Sequence, residues 1–366
     1  MKSTVLGYPR IGARRELTKA TEAFWAGRSS ADDLESTAAG LRRGVWETLR
    51  DAGLDGVPSN TFSLYDHVLD TAVMVGAVPK RFAGLAGLDA YFAMARGADG
   101  VAPLELTKWF DTNYHYLVPE LGPGTDLRLA GDKPLDEYTE AWSLDVETRP
   151  VLLGPVSFLL LSKAAEPGFW PLILLDLLLD VYAKVLAGLH EAGCEWVQLD
   201  EPVLAADRSR GELEALRHAY HRLGSRNRRP ALLVSTYFGE IGDALGVLAA
   251  SPVEAIGLDF VAGPGSLEAL AGLGGLGGKT LVAGVVDGRN VWRTDLLAAQ
   301  SLLESLRGLA GQVVVSTSCS LLHVPLDLDA ETSLAPGLTA RLASARQKVD
   351  EVVALGRALA EGGTRP

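Results

Sequence analysis

Cysteine is scarce in this chain: Cys194 and Cys319 are the only two in 366 residues. A disulfide framework is therefore excluded, and neither cysteine stands in a Cys-x-x-Cys or His-x-Cys spacing that would suggest a metal. Both are expected as buried free thiols. Positive charge is also short, with 34 Lys and Arg against 46 Asp and Glu and a formal net charge of -12. Without a long basic tract the chain lacks the extended positive surface that nucleic acid requires, so no nucleic-acid partner is expected. No charge-free apolar run is long enough to span a bilayer, and the opening Met1-Lys2-Ser3-Thr4 lacks the apolar core of a secretory signal. No membrane partner is expected, and the expected location is cytoplasmic.

What is present points to a globular protein. Hydrophobic residues make up 48% of the chain and charged ones 22%, ample to bury a core. β-rich runs recur at Val5–Gly7, Gly56–Phe62, Val151–Gly154, Trp196–Asp200, Ala231–Thr236, Ile256–Phe260, Leu281–Val285 and Val313–Thr317, with a further candidate near Lys108–Tyr116. Most are separated by helical patterns, which implies parallel pairing through right-handed crossovers. "LLVST" and "LVAGVV" do not alternate, as expected for strands covered on both faces. The expected fold is α/β, a (β/α)8 TIM-type barrel with an amino-terminal helical extension, forming one domain over residues 1–366. In "ADDLESTAAGLRRGVWETLRDAG", Ser30 with Asp33 three residues on signals a helix start, and Gly53 a stop. "WPLILLDLLLDVYAKVLAGLHEAG" reads as a helix with a buried face, closed by Gly193.

In such a barrel the residues after each strand converge on one face, where ligands bind. "QLDEP" offers Asp200 and Glu201, but alternation along a strand would separate the two carboxylates, one of them capping a neighbouring loop. "STSCSLLHVP" offers Cys319 and His323, half a zinc site at most. The 231–236 run ends in Tyr237, Glu240 and Asp243, with no thiolate or imidazole. Gly278-Lys279-Thr280 matches the end of a phosphate loop, yet Leu273 stands where the motif needs its first glycine, so a glycine-rich connection is expected. "LTKWFDTNYHYLVPEL" sets Lys108 beside Trp109, Phe110, Asn113, Tyr114, His115 and Tyr116, and "NTFSLYDHVLD" holds Tyr65, Asp66 and His67. Such rings can stack on a planar heterocycle with an acidic tail, or simply fill the space under a loop. "LGYPRIGARRELTKA" gathers Arg10, Arg14, Arg15 and Lys19 around Glu16, a local basic well for a small anion in an acidic chain.

Together, "GYPRIGARRELTKA", "SNTFSLYDHVLDTA", "YFAMARG", "LTKWFDTNYHYLVPEL", "RPVLLGPVSFLLLSK", "EWVQLDEP", "VAGVVDGRNVWR" and "STSCSLLHVPLDLDAET" resemble, in order from Leu6 to about Leu359, the amino-terminal half of cobalamin-independent methionine synthase. That family is 5-methyltetrahydropteroyltriglutamate–homocysteine methyltransferase, of methionine biosynthesis. The resemblance implies the first of two face-to-face barrels, with the catalytic zinc and the homocysteine site in the second, carboxy-terminal one. It implies that Arg15, Glu16, Leu17, Thr18 and Lys108 contact 5-methyltetrahydropteroyl polyglutamate and its tail. No cofactor is expected on this chain itself.

Two departures matter. The family motif reads Arg-Glu-Leu-Lys, whereas Thr18 stands fourth here and Lys19 follows. One helical step turns a side chain by about 100°, so tail binding weakens or shifts to Lys19. The sequence also stops at Pro366, before any His-x-Cys zinc segment of the second barrel. The expectation is a folate-binding barrel that does not catalyse alone. The alternatives are a standalone barrel enzyme, such as a zinc methyltransferase or cofactor-free decarboxylase built on the Asp200/Glu201 and Cys319/His323 strand ends, and a structural barrel that binds no folate.

Overall fold

The computed structural model describes residues 1–362. Its centre is a seven-stranded sheet in the spatial order Val57–Ser59, Thr148–Leu153, Trp196–Asp200, Ala231–Ser235, Ala255–Asp259, Thr280–Val286 and Gln312–Thr317. Every neighbouring pair is parallel. The order follows the chain because each strand returns through a helix on the outside of the curl, as right-handed crossovers dictate. Ala255–Asp259 and the Trp196–Asp200 interior are buried on both faces, which explains their continuous apolar runs.

The amino terminus pairs with both edges of this sheet. Ser3 bridges Val315 and Thr4 bridges Gly56, both in parallel sense. The hydrogen bonds run from Thr4 N–H to Val315 O at 2.9 Å and from Gly56 N–H to Ser3 O at 3.0 Å. The expected strand at Val5–Gly7 is therefore displaced: pairing falls on Ser3 and Thr4, and Val5 and Leu6 are buried beyond it. Hydrophobicity there marks burial rather than pairing.

Helix α1 (Glu16–Trp25) and helix α2 (Ala31–Asp51) precede the first sheet strand. The Ser30 side chain accepts from Asp33 N–H while Asp33 returns to Ser30 N–H, a capping box that fixes the start of α2 where the sequence places it. Leu175–Glu191 forms the long buried helix, and Gly193 follows it at φ 85°, a left-handed turn that glycine supplies without steric cost. The Lys108–Tyr116 segment is not a strand. It is an antiparallel hairpin, Leu106–Lys108 with His115–Leu117, whose tip turns at Phe110 with φ 53°. Among the described residues, no helix is long and apolar enough to cross a membrane.

Candidate functional site

The cationic turn begins where Gly12, at φ 85°, reverses the chain after the barrel-like sheet's first segment. Arg15 N–H donates to Gly12 O at 3.2 Å and Leu17 N–H to Ile11 O at 3.1 Å, so the turn closes on itself before α1 starts. Arg15 occupies the N-cap with φ 62° and ψ 39°, a left-handed conformation rare for a side chain of its size. Glu16 Oε2 accepts Arg14 N–H at 2.9 Å. These backbone N–H groups, Arg14's first and Glu16's own second, hold the Glu16 carboxyl below its usual pKa.

The expected site residues behave differently from one another. Arg15 and Lys19 are exposed and Glu16 and Thr18 half-buried, whereas Leu17 turns its side chain into a small cluster with Ala38 and Phe62. Leu17 lies on the inner face of the amphipathic helix, where burial stabilises a leucine, and in this structure its side chain packs inward, away from the exposed Arg15 and Lys19. Arg10 is also withdrawn from the turn: it donates to Ser63 O and, at 2.5 Å, to Tyr65 O, and lies 5.9 Å from the centre of the Tyr114 ring. Among the described residues, the side chains of Arg14, Arg15, Lys19 and Lys108 make no hydrogen bond or ion pair.

Lys108 sits on the hairpin, exposed and opposite His115. No hydrogen bond or ion pair joins it to the Arg15–Lys19 turn among the described residues. Its neighbour Trp109 anchors the hairpin, only 2% exposed, with its ring edge-on to His67 at 4.4 Å and to Phe110 at 5.0 Å. His67 stacks on Tyr114 at 5.7 Å, and Tyr114 and Phe238 both flank His323. Asp111 at the tip pairs with Arg289 at 2.8 Å. The aromatic residues thus pack against one another under the hairpin, mostly edge to face, with His67 and Tyr114 stacked.

Beneath them, a cavity of about 70 Å3 is lined by Arg10, Asn60, His67, Tyr114, Asp200 and Tyr237 among others. Asp200 accepts Gln198 Nε2–H at 2.6 Å and Tyr237 O–H at 3.1 Å. Gln198 Oε1 in turn accepts from Arg149 at 2.8 Å, and Arg149 also reaches Thr4 Oγ1 at 2.8 Å and Val5 O at 3.1 Å. Burial raises the Asp200 pKa to about 7 against the pull of its two donors, and burial lowers that of Arg149 to about 10. His67 and His323 are pushed down to about 3 and about 4 by desolvation, so both are neutral imidazoles near pH 7.

Glu201 has a separate role. It is fully buried and accepts N–H groups of Val156 and Ser157 at 3.2 and 2.7 Å at the start of Pro155–Leu160. It is the capping carboxylate, and Asp200 is the one that faces the cavity, as strand alternation requires. A second buried network went unseen in the sequence: Lys133 Nζ donates to Asn60 Oδ1 and Phe62 O, each at 2.7 Å, and pairs with Glu137 at 2.9 Å. A lone arginine in the apolar run "TRPVLL" was the signal available for Arg149. Nothing local marks the Lys133 network.

Zinc does not fit the strand ends. Cys319 is fully buried, and desolvation keeps its thiol protonated well above the usual range, while His323 is held between rings. Among the described residues, no three His, Cys, Asp or Glu side chains form a group that could hold a metal. Lys279 Nζ donates to Ser251 O and Val253 O at 2.6 and 2.7 Å, so the glycine-rich segment is a connection tied down by its lysine.

A curled parallel sheet, helices outside it, and polar side chains gathered past the strand ends define a barrel-like α/β protein. Two solved structures share that fold: a B12-independent methionine synthase from Shewanella sp. W3-18-1, with a TM-score of 0.63 at 14% identity over 91% of each chain, and a putative vitamin-B12 independent methionine synthase from Listeria monocytogenes, with 0.59 at 12% over 98% of each. Residues 2–311 match the family described as cobalamin-independent synthase, N-terminal domain, and the chain belongs to it. It is 56% identical over 369 residues to the 5-methyltetrahydropteroyltriglutamate–homocysteine methyltransferase of Streptomyces griseus, covering 99% of this chain and 48% of that protein. The same enzyme of Rhodococcus jostii is 56% identical over 361 residues, covering 98% and 48%. The chain thus spans about half the length of the curated relatives it matches.

Proposed function

We propose that this chain is the folate-gripping amino-terminal barrel of a cobalamin-independent methionine synthase, supporting methyl transfer from 5-methyltetrahydropteroyl polyglutamate to homocysteine in the cytoplasm. In this reading residues 1–366 form one (β/α)8 barrel, closed by the Ser3–Thr4 pairing, and the expected amino-terminal helical extension is instead the helical segment α1 and α2 between that pairing and the Val57–Ser59 strand. Its partner is a zinc-bearing carboxy-terminal barrel, in cis or in trans, and the methyl transfer itself belongs to that partner. A zinc held by that partner would supply the acidity that turns the homocysteine thiol into a nucleophile, while this chain's residues would bind and orient the folate.

The observation that carries the reading is the set of unpaired cations. Ion pairs engage only part of the basic side chains of this acidic protein; among the described residues Arg14, Arg15 and Lys19, gathered in one turn, and Lys108 on the hairpin make none. Cations left without partners in an acidic protein create a local well for a polyanion, and a tail of linked glutamates has the matching charge. Arg15, Lys19 and Lys108 supply the charge, and the Thr18 hydroxyl a neutral donor beside them.

Reconstitution tests this. The purified chain is assayed for methyl transfer with homocysteine and 5-methyltetrahydropteroyl triglutamate, alone and with a zinc-loaded carboxy-terminal barrel of a relative. Turnover only in the mixture is the expected outcome. Turnover by the chain alone would transfer the chemistry to its own strand ends and defeat the proposal.

A further inference from the structure

We infer that Glu16 is a positioning residue of the tail site, acting through Arg15, and is not itself a contact to the ligand. This rests on the folate-tail reading above. A carboxylate amid cations that receive a second carboxylate is repulsive toward the ligand, so a contact role is unfavourable from the outset. The geometry supplies another task. Oε2 is taken by Arg14 N–H at 2.9 Å, and Arg15 contributes no side-chain cap to α1, so the acid at the first helical position ties down the backbone on the far side of Arg15.

The turn leaves room for that carboxylate. A Cβ on Gly12 would stand 2.2 Å from Glu16 Oε2 and 2.8 Å from Leu41 Cδ2, so any side chain there would displace the acid. Arg15 keeps its left-handed φ of 62° between two fixed points. One is the Glu16 carboxylate bound to Arg14 N–H, and the other is Leu17, buried with Ala38 and Phe62. A backbone held in a sparsely populated region persists where its surroundings over-determine it. Release of the carboxylate frees Arg14 and Arg15 to relax, and the guanidinium then projects from a different backbone.

The test compares wild type, Glu16→Gln, Glu16→Ala and Gly12→Ala in the full chain. Two quantities are read: affinity for 5-methyltetrahydropteroyl triglutamate and monoglutamate, and hydrogen-exchange protection of the Arg14 amide. The amide oxygen of Gln accepts the same hydrogen bonds without the charge, so Glu16→Gln is expected to keep both the protection and the triglutamate affinity. Glu16→Ala and Gly12→Ala are expected to lose the protection and about tenfold in triglutamate affinity, with the monoglutamate little changed. Glu16→Gln falling with Glu16→Ala while Arg14 stays protected would mean a direct ligand contact, and unchanged affinity in Glu16→Ala would mean no role. Absence of any triglutamate preference in wild type would instead overturn the tail reading on which the inference stands.

Discussion

The Glu201 carboxylate accepts the Tyr220 phenolic hydrogen at 2.7 Å while also receiving the Val156 and Ser157 N–H groups, all in a fully buried setting. Three elements meet at this one side chain: its own strand end, the Pro155–Leu160 helix with its N-cap Gly154, and the Arg210–Gly224 helix. Gly154 has no room for a side chain, since a Cβ there would lie 2.2 Å from Glu201 Cδ.

Glu201→Ala is therefore expected to destabilise the chain by about 2–4 kcal/mol, since it orphans buried donors. Tyr220→Phe should cost less, because the two N–H bonds to the carboxylate survive. Urea denaturation of both variants checks the order. An unperturbed midpoint in Glu201→Ala would remove the carboxylate from its structural role.

Asp200 gives a pH prediction of definite sign. Burial raises its folded pKa to about 7, well above that of an ordinary aspartate, so the folded chain keeps a proton that the unfolded chain releases. That contribution to stability is complete below the unfolded value and lost as pH rises through about 7. Asp200→Asn removes it, so the variant should gain on wild type between acidic and neutral pH, by on the order of 2 kcal/mol. Asp66, also raised to about 7, is common to both proteins and cancels in the difference. Denaturation midpoints across that range check the prediction, and a constant difference would contradict it.

Thr18 is half-buried on the outer part of the first turn of α1, with no hydrogen bond from its hydroxyl among the described residues. Thr18→Lys should tighten triglutamate binding by about two- to fivefold, the range of an exposed ion pair. No tightening, measured by fluorescence titration, would mean that the tail runs past Lys19 instead.

Lys108→Ala should weaken the triglutamate by about tenfold and the monoglutamate far less, since one charge-assisted hydrogen bond is lost. Trp109→Ala tests the hairpin that carries it. Truncating this buried indole should cost about 3–5 kcal/mol and loosen Lys108 with it. Equal losses for the two folates in Lys108→Ala would sever Lys108 from the tail.

The parts of this structure legible in sequence are those fixed by neighbours. Ser30 and Asp33 cap α2 from three residues apart, and Gly193 closes the long helix at its own position. Strand runs covered on both faces announce themselves by apolar continuity. The hairpin at 106–117 did not, because its turn places Phe110 at positive φ with no glycine to mark it. Arg149 depends on Thr4, Val5 and Gln198, partners scattered along the chain that only the curl of the sheet brings together. The cationic turn was visible as composition, but the withdrawal of Arg10 toward Ser63 and the burial of Leu17 were not.

The central claim is that unpaired cations on this barrel grip an anionic folate tail. Its most direct test is the affinity of the full chain for 5-methyltetrahydropteroyl triglutamate and monoglutamate at low and high ionic strength. The account predicts tighter triglutamate binding at low salt and a preference that shrinks as salt rises, because exposed charges are screened beyond about 10 Å at 0.1 M. Equal affinities at both salts would contradict it.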